Sequence, residues 1–342
     1  MKTRNCIVIP PYYSGTSFED IVRSLKVAVH KIGLPVTFYG YTRPLSNNVT
    51  YENLLDDYRY VAGQLKILNT LIEEKDSLGR ILFLDFFNPG LDLFQYSLMH
   101  DNRKIRIASL LHGGSFVSGD LYGFNWLKNF EYGWFALNNT IYVPSHYLRN
   151  SCPDQFKAKA KVFSWGMDAF KPSSSNQKKW DVVFPHRLQK DKGVEEFVRI
   201  IKLLPRIKIL VTSPLTRQQL SANNFYYKLK NHPSVQFVYR VNNVNIGKFL
   251  CKSKIVLSCS LQETFGYSIM KSIASGCVPV VPDRACYPEY IPSSFRYKTM
   301  AEAVKLIEHF SRVDLYSHEK FFDLKKNILQ FSFTPILRDF FK

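Results

Sequence analysis

The 342-residue sequence lacks most features that would assign it to a membrane, secreted or metal-binding class. No apolar run reaches the roughly 18 residues that a membrane-spanning helix needs, and the first residues, MKTRNCIVIPPYY, contain no apolar signal-peptide core. The six cysteines form no CxxC pair and show no Cys/His spacing typical of a metal site. These absences favour a reduced, cytoplasmic protein in which the cysteines are small core residues.

Acidic residues are scarce relative to basic ones. The chain has 46 Lys and Arg against 28 Asp and Glu, a formal net charge of +18. Residues 171–342 hold 28 basic and 13 acidic side chains, whereas residues 1–170 hold 18 and 15. A positive field of this size attracts polyanions such as nucleic acid, anionic lipid or phosphorylated small molecules. A solubilising surface would explain a smaller excess, so we expect a polyanionic partner.

The hydrophobic pattern predicts alternating strands and helices in both halves of the chain. Apolar runs such as RILFLDF (80–86) and IRIASLL (105–111) are typical of strands that are buried on both faces of a parallel sheet. Residues 16–31 have apolar side chains at helical spacing. The alternation starts again at WDVVF (180–184), after the polar, Ser- and Pro-rich segment KPSSSNQKK (171–179), which we interpret as a linker.

This pattern predicts an α/β protein with two Rossmann-like, doubly wound domains that face a central cleft. The first domain covers residues 1–170 and the second covers residues 171–325. Residues 326–342 are predicted to form a C-terminal helix that packs back toward the first domain. Ligands of such sheets bind beyond the carboxyl ends of the strands, so the residues that follow each strand are the candidates for a site.

The segment PHRLQKDKG (185–193) follows the strand WDVVF and opens a helix. Arg187 and Lys192 flank this turn. Two cations beside the positive end of a helix dipole can bind an anion, and a diphosphate fits such a site. An exposed basic turn would show the same pattern. His186 beside them is interpreted as a packing residue.

A second candidate segment, SLQETFGYS (260–268), follows the strand IVLS and opens a helix that ends at Gly276. Glu263 lies immediately before that helix, and its carboxylate could accept hydrogen bonds from sugar hydroxyls. Acidic residues also favour helix N-termini. From the acid alone, a simple capping role is the stronger interpretation.

The order of these motifs resembles a known family. HR…DKG, then ETFG at the start of a helix that ends ASGCVPVV, then PD and YPE, resembles the retaining glycosyltransferases of family 4, which have the GT-B fold. The resemblance covers residues 181–292 and is diffuse before residue 171. It implies the transfer of a sugar from a nucleoside diphosphate donor, with retained anomeric configuration. It also implies a reaction without a metal ion, and the sequence has no DxD motif.

The resemblance also implies roles for single residues. Arg187 and Lys192 would hold the donor diphosphate and stabilise charge on the leaving group, and Glu263 would bind sugar hydroxyls. Further donor contacts are implied for Phe265, Gly266 and Tyr267 through their backbone N–H groups, and for Asp283 and Arg284.

Lys271 departs from the family pattern. The family has a second Glu at this position, eight residues after the first, and that Glu holds the donor ribose. A Lys cannot accept hydrogen bonds from ribose hydroxyls, so the nucleoside of the donor stays open, and Ser275 is a weak substitute. We count Lys271 among the donor-binding candidates and favour a UDP-sugar, such as UDP-glucose, over a GDP-sugar. No other cofactor is expected.

Candidates in the first half follow predicted strands. His112, in SLLHGGSF (109–116), stands where family members often have a His that contacts the donor sugar, although a lone His is usually structural. His146 follows another strand and is either structural or faces the acceptor. The loop PPYYSGTSF has two tyrosines that could stack on an acceptor or simply lie at the surface. The predicted acceptor-binding residues are therefore Tyr12, Tyr13, Gly113, Gly114 and His146.

FPHR combined with PDRACYPE (282–289) is a narrower resemblance, to enzymes that mannosylate queuosine in transfer RNA and to glycosyltransferases of bacteriophages. Both imply a nucleic-acid acceptor, which fits the positive charge and the many aromatic residues. We expect a retaining glycosyltransferase that modifies a base, first a 5-hydroxymethyl pyrimidine in phage-type DNA and next queuosine in tRNA, in the cytoplasm of a cell or of a phage-infected host. The alternatives are a membrane-surface transferase for lipid-linked or cell-wall glycans and an inactive sugar- or nucleic-acid-binding module.

Overall fold

The computed structural model describes most of the chain, namely residues 3–12, 16–41, 43, 58–101, 103–118, 125–175, 177–313 and 319–341. The chain divides into two compact units. One unit consists of Met1–Ala169 together with Ser332–Lys342, and the other consists of Phe170–Phe331.

The first unit is built on a six-stranded sheet in the order β2-β1-β3-β4-β5-β6, in which every neighbouring pair is parallel. Its strands are β1 (Arg4–Ile9), β2 (Val36–Gly40), β3 (Leu78–Phe83), β4 (Arg106–Leu110), β5 (Thr140–Val143) and β6 (Ala160–Val162). The α-helices in its first segment, before residue 170, are α1 (Ser17–Lys31), α2 (Tyr58–Glu73), α3 (Leu91–His100), α4 (Asn125–Leu137) and α5 (His146–Ser151).

The second unit is built on a six-stranded parallel sheet in the order β12-β11-β10-β7-β8-β9. Its strands are β7 (Trp180–Phe184), β8 (Ile209–Thr212), β9 (Val235–Val238), β10 (Ser253–Leu257), β11 (Val278–Pro282) and β12 (Arg296–Tyr297). Its helices are α6 (Val194–Lys202), α7 (Arg217–Leu220), α8 (Asn224–Lys230), α9 (Gly247–Leu250), α10 (Tyr267–Ala274), α11 (Tyr287–Tyr290), α12 (Met300–Arg312) and α13 (Glu319–Ile328).

The central strands are apolar on both faces because helices cover both sides of each sheet. Ile81 and Leu82 on β3 and Ile107 on β4 are fully buried, as are Ile255 and Val256 on β10. Continuous apolar strands of this kind belong to parallel sheets. The predicted α/β class with two doubly wound parallel sheets is confirmed. All six cysteines are buried and free, as expected of core residues.

The last helix, α14 (Thr334–Phe341), belongs to the first unit. The sequence pattern predicts one C-terminal helix over residues 326–342, but residues 326–328 instead end α13. That helix packs against α10 in the second unit, so the chain returns to the first unit only at Ser332. None of the helices in the described part of the chain combines the length and the apolar character that crossing a bilayer requires.

Asp339 anchors α14 to the first sheet. It accepts a hydrogen bond of 2.6 Å from the Tyr142 hydroxyl on β5 and bonds of 3.0 and 2.8 Å from Lys161 Nζ on β6. Burial alone would favour the neutral carboxyl, but the hydrogen bonds from Lys161 and Tyr142 outweigh it and lower the pKa of Asp339. The ionised form is therefore the one that holds the helix.

We expect Asp339→Asn to lower the free energy of unfolding by about 1–2 kcal/mol at pH 7, because charge-assisted bonds to two partners are lost. A lowered carboxyl pKa stabilises the folded state above the unfolded-state pKa, and this stabilisation is lost as the pH falls through the folded-state value. Urea unfolding at several pH values should show the difference narrowing below about pH 4. Asp154→Asn, at an exposed surface pair with Lys157, is the control. An equal loss in both variants would contradict the anchoring role.

Candidate functional site

The order in which strands are added to the second sheet reverses between the neighbouring strands β7 and β10. The chain leaves β7 toward β8 and β9 on one side, and it later continues from β10 toward β11 and β12 on the other. The loops that follow β7 and β10 therefore diverge at the carboxyl edge of the sheet. Ligands of doubly wound sheets bind at such a switch point.

These two loops meet backbone to backbone at Gly193. Its φ angle is +64°, and a Cβ atom at this position would lie 1.8 Å from the Cys259 carbonyl oxygen. Two residues away on each segment, the Leu261 N–H donates a hydrogen bond to the Asp191 carbonyl oxygen at 2.9 Å. Only glycine permits both the left-handed conformation and the close approach. The contact brings the basic turn after β7 next to the acidic loop after β10.

A charge cluster results from this contact. Lys192 Nζ lies 3.2 Å from Glu263 Oε2 and 3.4 Å from Asp191 Oδ2, and Arg187 Nη2 lies 3.5 Å from the same Asp191 oxygen. The side chains of Lys192 and Glu263 are only 13% and 16% exposed. The structure thus brings together Arg187, Lys192 and Glu263, which the sequence indicated as separate candidates. It adds Asp191, whose signal was an acid between two basic residues in KDK.

Lys192 is charged at neutral pH. Burial opposes the ammonium form, but the carboxylates of Glu263 and Asp191 outweigh the burial and raise the pKa of Lys192. In the described residues, two cations and two anions balance each other. An anionic ligand that engages Arg187 and Lys192 would shift this balance and release Glu263 for hydroxyl groups.

His186 lies between the strand and the cluster. It is 6% exposed, its ring packs edge-on against Phe184 at 5.2 Å, and its Nε2 has no hydrogen-bond partner among the described residues. Burial and then the charges of Lys192 and Arg187 hold the pKa of His186 well below its usual value. Buried polar atoms are normally hydrogen-bonded. The unsatisfied Nε2 of the neutral imidazole therefore makes His186 a candidate ligand contact, whereas the sequence indicated only a packing role.

Helix α10 begins later than predicted. Its N-cap is Gly266 with φ +81°, so Phe265 precedes the helix and does not belong to its first turn. A Cβ at Gly266 would lie 3.3 Å from Glu263 Cγ, which places the start of the helix beside Glu263. Phe265 is buried and packs against Tyr267, with ring centroids 4.8 Å apart. Its side chain supports the loop from within the unit.

Asp283 and Arg284 make contacts of a different kind from the predicted donor contacts. Arg284 pairs with Glu196 at 3.0 Å and donates to the carbonyl oxygens of Ser260 at 2.9 Å and Cys259 at 3.1 Å. Asp283 pairs with Arg296 Nε at 2.8 Å. The guanidinium therefore holds the backbone of the loop that carries Glu263.

Lys271 is buried on α10 and reaches the loop after β9. Its Nζ donates to Asn243 Oδ1 at 3.1 Å and lies 5.8 Å from the centre of the Phe170 ring. Ser275, one turn further along the helix, has a buried hydroxyl without a partner in the described residues. A cation next to an amide thus occupies the position where the resemblance implied a ribose-binding acid.

His112 lies at the carboxyl end of β4 in the first unit. Its Nε2 is 2.8 Å from the Leu84 carbonyl oxygen, so Nε2 is the donor, and its ring lies 5.5 Å from the rings of both Phe18 and Trp165. Burial lowers the pKa of His112, although the Asp85 carboxylate opposes the shift. The imidazole is therefore neutral, with its orientation set by a backbone carbonyl.

Sequence reasoning missed Asp85, which follows β3 and interacts electrostatically with His112. Its carboxylate accepts from the Tyr60 hydroxyl at 2.8 Å and from Phe87 N–H at 3.1 Å, and burial raises its pKa. The available signal was the acid that ends the apolar run RILFLD. A second missed carboxylate, the buried Glu131 on α4, accepts hydrogen bonds from the backbone and the hydroxyl of Ser115.

The remaining acceptor candidates of the first unit are spread out. Tyr12 is buried, with its ring 5.9 Å from that of Phe18, and so offers little surface for stacking. A Cβ at Gly114 would meet the Phe116 ring at 2.4 Å, which explains the glycine by packing. His146 is exposed at the start of α5, where the Ser145 side chain caps the helix. Gly113 is half-buried in the same loop as Gly114, and Tyr13 lies outside the described residues.

Comparison with known proteins agrees with this geometry. The family model described as glycosyl transferases group 1 matches residues 167–309, nearly all of which lie in the second unit. Residues 167–309 are thus similar to the glycosyl transferases of group 1. The match contains every residue of the charge cluster, from Arg187 to Glu263.

A curated relative, the tRNA-queuosine alpha-mannosyltransferase of Drosophila melanogaster, is 32% identical over 66 residues. The matched segment covers 19% of this chain and 18% of that protein. This short match leaves more than four fifths of the relative's length outside the comparison.

Solved structures match almost the whole chain. Sucrose-phosphate synthase from Thermosynechococcus elongatus is 11% identical and has a TM-score of 0.73, with 99% of this chain and 97% of that chain covered. The catalytic domain of starch synthase IV from Arabidopsis thaliana is 13% identical, with a TM-score of 0.67 and coverage of 99% and 98%. At these identities the likeness shows the fold, which is that of GT-B glycosyltransferases, as predicted. The family match and this fold together support a transferase enzyme.

We expect Gly193→Ala to destabilise the second unit by about 3 kcal/mol or more, since a Cβ would meet the Cys259 backbone in a left-handed conformation. Gly133→Ala on α4 is the matched control, because nothing lies within 4 Å of the added Cβ. Alanine at that helical position should be neutral or stabilising by up to about 1 kcal/mol. Urea unfolding followed by fluorescence measures both, and a stable Gly193→Ala protein would refute the close contact.

Proposed function

We propose that this protein is a retaining glycosyltransferase that moves a sugar from a nucleoside diphosphate sugar to a hydroxyl group of a modified base in nucleic acid. The observation that carries the donor half is the partly buried cluster of Arg187, Lys192 and Glu263 at the switch point of the second sheet. It offers two cations for a diphosphate and a carboxylate for sugar hydroxyls within one small region.

The cluster suits the breaking of a sugar–phosphate bond. As the bond between the anomeric carbon and the phosphate oxygen lengthens, negative charge grows on that oxygen, and Arg187 and Lys192 stabilise it electrostatically. The acceptor oxygen bonds to the anomeric carbon, and its proton leaves with the departing diphosphate. Lys192 needs no proton transfer because its raised pKa keeps it charged.

Two further groups fit this chemistry. The unsatisfied Nε2 of the neutral His186 would gain a partner in a bound donor. Glu263, once Lys192 engages the diphosphate, is a carboxylate at the start of α10 that can hold two hydroxyls of a sugar. Arg284 acts behind them, since its bonds to the carbonyls of Cys259 and Ser260 keep the loop in place.

Three observations support a nucleic-acid acceptor. The chain has a net charge of +18, most of it in the half that contains the glycosyl transferase domain. FPHR and PDRACYPE resemble base-modifying enzymes, and one curated relative is named for mannosylation of tRNA queuosine. A 5-hydroxymethyl pyrimidine in DNA and queuosine in tRNA both present a hydroxyl on a base, which an enzyme reaches in a single strand or after base flipping.

A membrane-surface acceptor is the second candidate, and one observation favours it. Helices α3 and α4 of the first unit expose large apolar side chains, among them Tyr96 at 72% and Trp126 at 53% exposure, with Met99 and Phe130 on the same two helices. Aromatic side chains of this kind are typical of lipid interfaces. The acceptor experiment therefore includes a lipid arm.

We expect Lys192→Ala to lower the transfer rate by about 10²–10³-fold, because the ammonium group stabilises the leaving diphosphate in a partly buried site. The matched control is Lys190→Ala, two residues earlier on the same turn and exposed, which should keep nearly the full rate. Radiolabelled donor and single-turnover kinetics measure both. Equal rates for the two variants would refute the donor assignment.

The acceptor is tested by nucleoside mass spectrometry. The protein is incubated with UDP- and GDP-sugars and, in separate reactions, with hydroxymethylated DNA, bulk tRNA or lipid extract, after which the products are digested. A hexose or pentose mass gain on one base identifies both acceptor and sugar size. Donor hydrolysis with transfer only to lipid would favour the second candidate. No hydrolysis with any donor would point to an inactive binding module.

A further inference from the structure

One continuous stretch of the second unit contains no acidic residue at all. Between Glu196 and Glu263 lie 66 residues with eleven Lys and Arg and neither Asp nor Glu. The stretch builds the end of α6 and then β8, α7, α8, β9, α9 and β10. Its positive charge is therefore not reduced by acidic neighbours in the chain.

This charge is also left unbalanced in three dimensions. Ten of the eleven side chains are exposed, and the eleventh, Lys254, pairs with Asp181 at 3.2 Å. In the part of the chain that the structure describes, the other ten make no ion pair with a carboxylate. In the cluster around Lys192, by contrast, each cation lies next to a carboxylate.

Two of these residues extend the carboxyl edge on which Arg187 lies. Arg187 follows β7, Arg217 begins α7 after β8, and Arg240 follows β9, and these three strands are adjacent and parallel. Neighbouring strands lie about 4.8 Å apart. The loops are joined, since Arg240 N–H donates to the Leu215 carbonyl at 3.2 Å. The topology thus sets three arginines in sequence along one edge.

The backbone of Arg240 is in an unfavourable conformation. Its φ angle is +56°, and among the described residues only Ala285 is the other non-glycine residue with a positive φ. Glycine or asparagine would adopt this conformation at lower cost. Strained residues of this kind concentrate at ligand-binding positions, and here the strained residue is an exposed cation just after an edge strand.

Helix α8 adds aromatic surface next to this edge. Tyr227 is 50% exposed, with Lys230 Nζ 4.1 Å from the centre of its ring. The helix is tied to the Arg187 turn, because Asn223 Nδ2 at its N-cap donates to the Leu188 carbonyl at 2.9 Å. An aromatic ring flanked by cations suits an unpaired base and its phosphates.

We propose that this surface, here called the basic edge and formed by Arg217, Tyr227, Lys228, Lys230 and Arg240, binds the phosphodiester backbone of single-stranded nucleic acid. This surface would hold the acceptor of the proposed function, and the inference rests on that function only for the claim that the bound strand is the acceptor. A row of unpaired cations beside an aromatic ring matches a repeating anion with stackable bases. A lipid surface would call for apolar side chains to insert, and the exposed aromatic ring of the basic edge is instead a tyrosine covered by a lysine.

Binding is measured without donor, with the full chain and a fluorescent 20-nucleotide DNA strand and an RNA strand of the same sequence, over a range of salt concentrations. Each phosphate contact contributes about 0.7 to the slope of log affinity against log salt. We expect Arg217→Gln/Arg240→Gln to lower the slope by about 1.4 and the affinity at 0.1 M salt by about 25-fold. The pair Lys228→Gln/Lys230→Gln is a second, independent variant on α8.

The matched control is Lys320→Gln/Lys326→Gln on α13, which removes two exposed cations that have Glu319 and Asp323 on the same helix. An unchanged slope in this control, with reduced slopes in both variants of the basic edge, supports the proposal. Equal losses in all three variants would show binding to net charge only and overturn it. Loss of binding to phosphatidylserine vesicles, with strand binding unaffected, would assign the surface to lipid instead.

This test separates the docking surface from the enzymatic activity. If no donor supports transfer but the slopes fall as expected, the basic edge stands and the proposed function fails. If the Lys192→Ala variant loses transfer while both variants of the basic edge bind strands normally, the enzyme stands and the docking surface fails.

Discussion

The close contact between Gly193 and the Cys259 carbonyl is the constraint on which the rest of the second unit's site depends. It joins the turn after β7 to the loop after β10, and Cys259 follows Gly193 by 66 residues. The Lys192–Glu263 pair forms because these backbones touch. Arg284 then holds the same loop from the other side through two carbonyl oxygens. The site is therefore positioned by backbone contacts.

The second unit handles charge in two opposite ways. At the switch point, cations are partly buried and each has a carboxylate beside it, since an unpaired buried charge would be costly. Along β8 and β9 the cations are exposed, so water solvates them and no partner is needed. The first arrangement favours a ligand that replaces a carboxylate, and the second favours a large anion that releases counterions. The two regions adjoin at the Arg187 turn.

Sequence reasoning predicted the two parallel sheets well because their strands are continuous apolar runs, such as residues 105–111, and runs of this length fit a strand that is buried on both faces. It also indicated Arg187, Lys192 and Glu263 as candidates, since each follows a strand, and the structure places them in one charge cluster. It could not find what depends on three-dimensional packing. Examples are the burial of Tyr12 against Phe18, the bonds of Arg284 to the carbonyls behind Glu263, and the Asp85 carboxylate beside His112. These contacts join positions that are far apart in the chain, and no local pattern encodes them.

The placement of α14 has a consequence for how the protein is made. The first unit consists of residues 1–169 and residues 332–342, so α14 can pack on its sheet through Asp339 only after residues 332–342 have been made. On a ribosome, which synthesises from the N-terminus, the second unit is complete before the first. The first unit must wait for its last helix with part of its sheet uncovered. The segment after residue 331 is thus the one that closes the first unit.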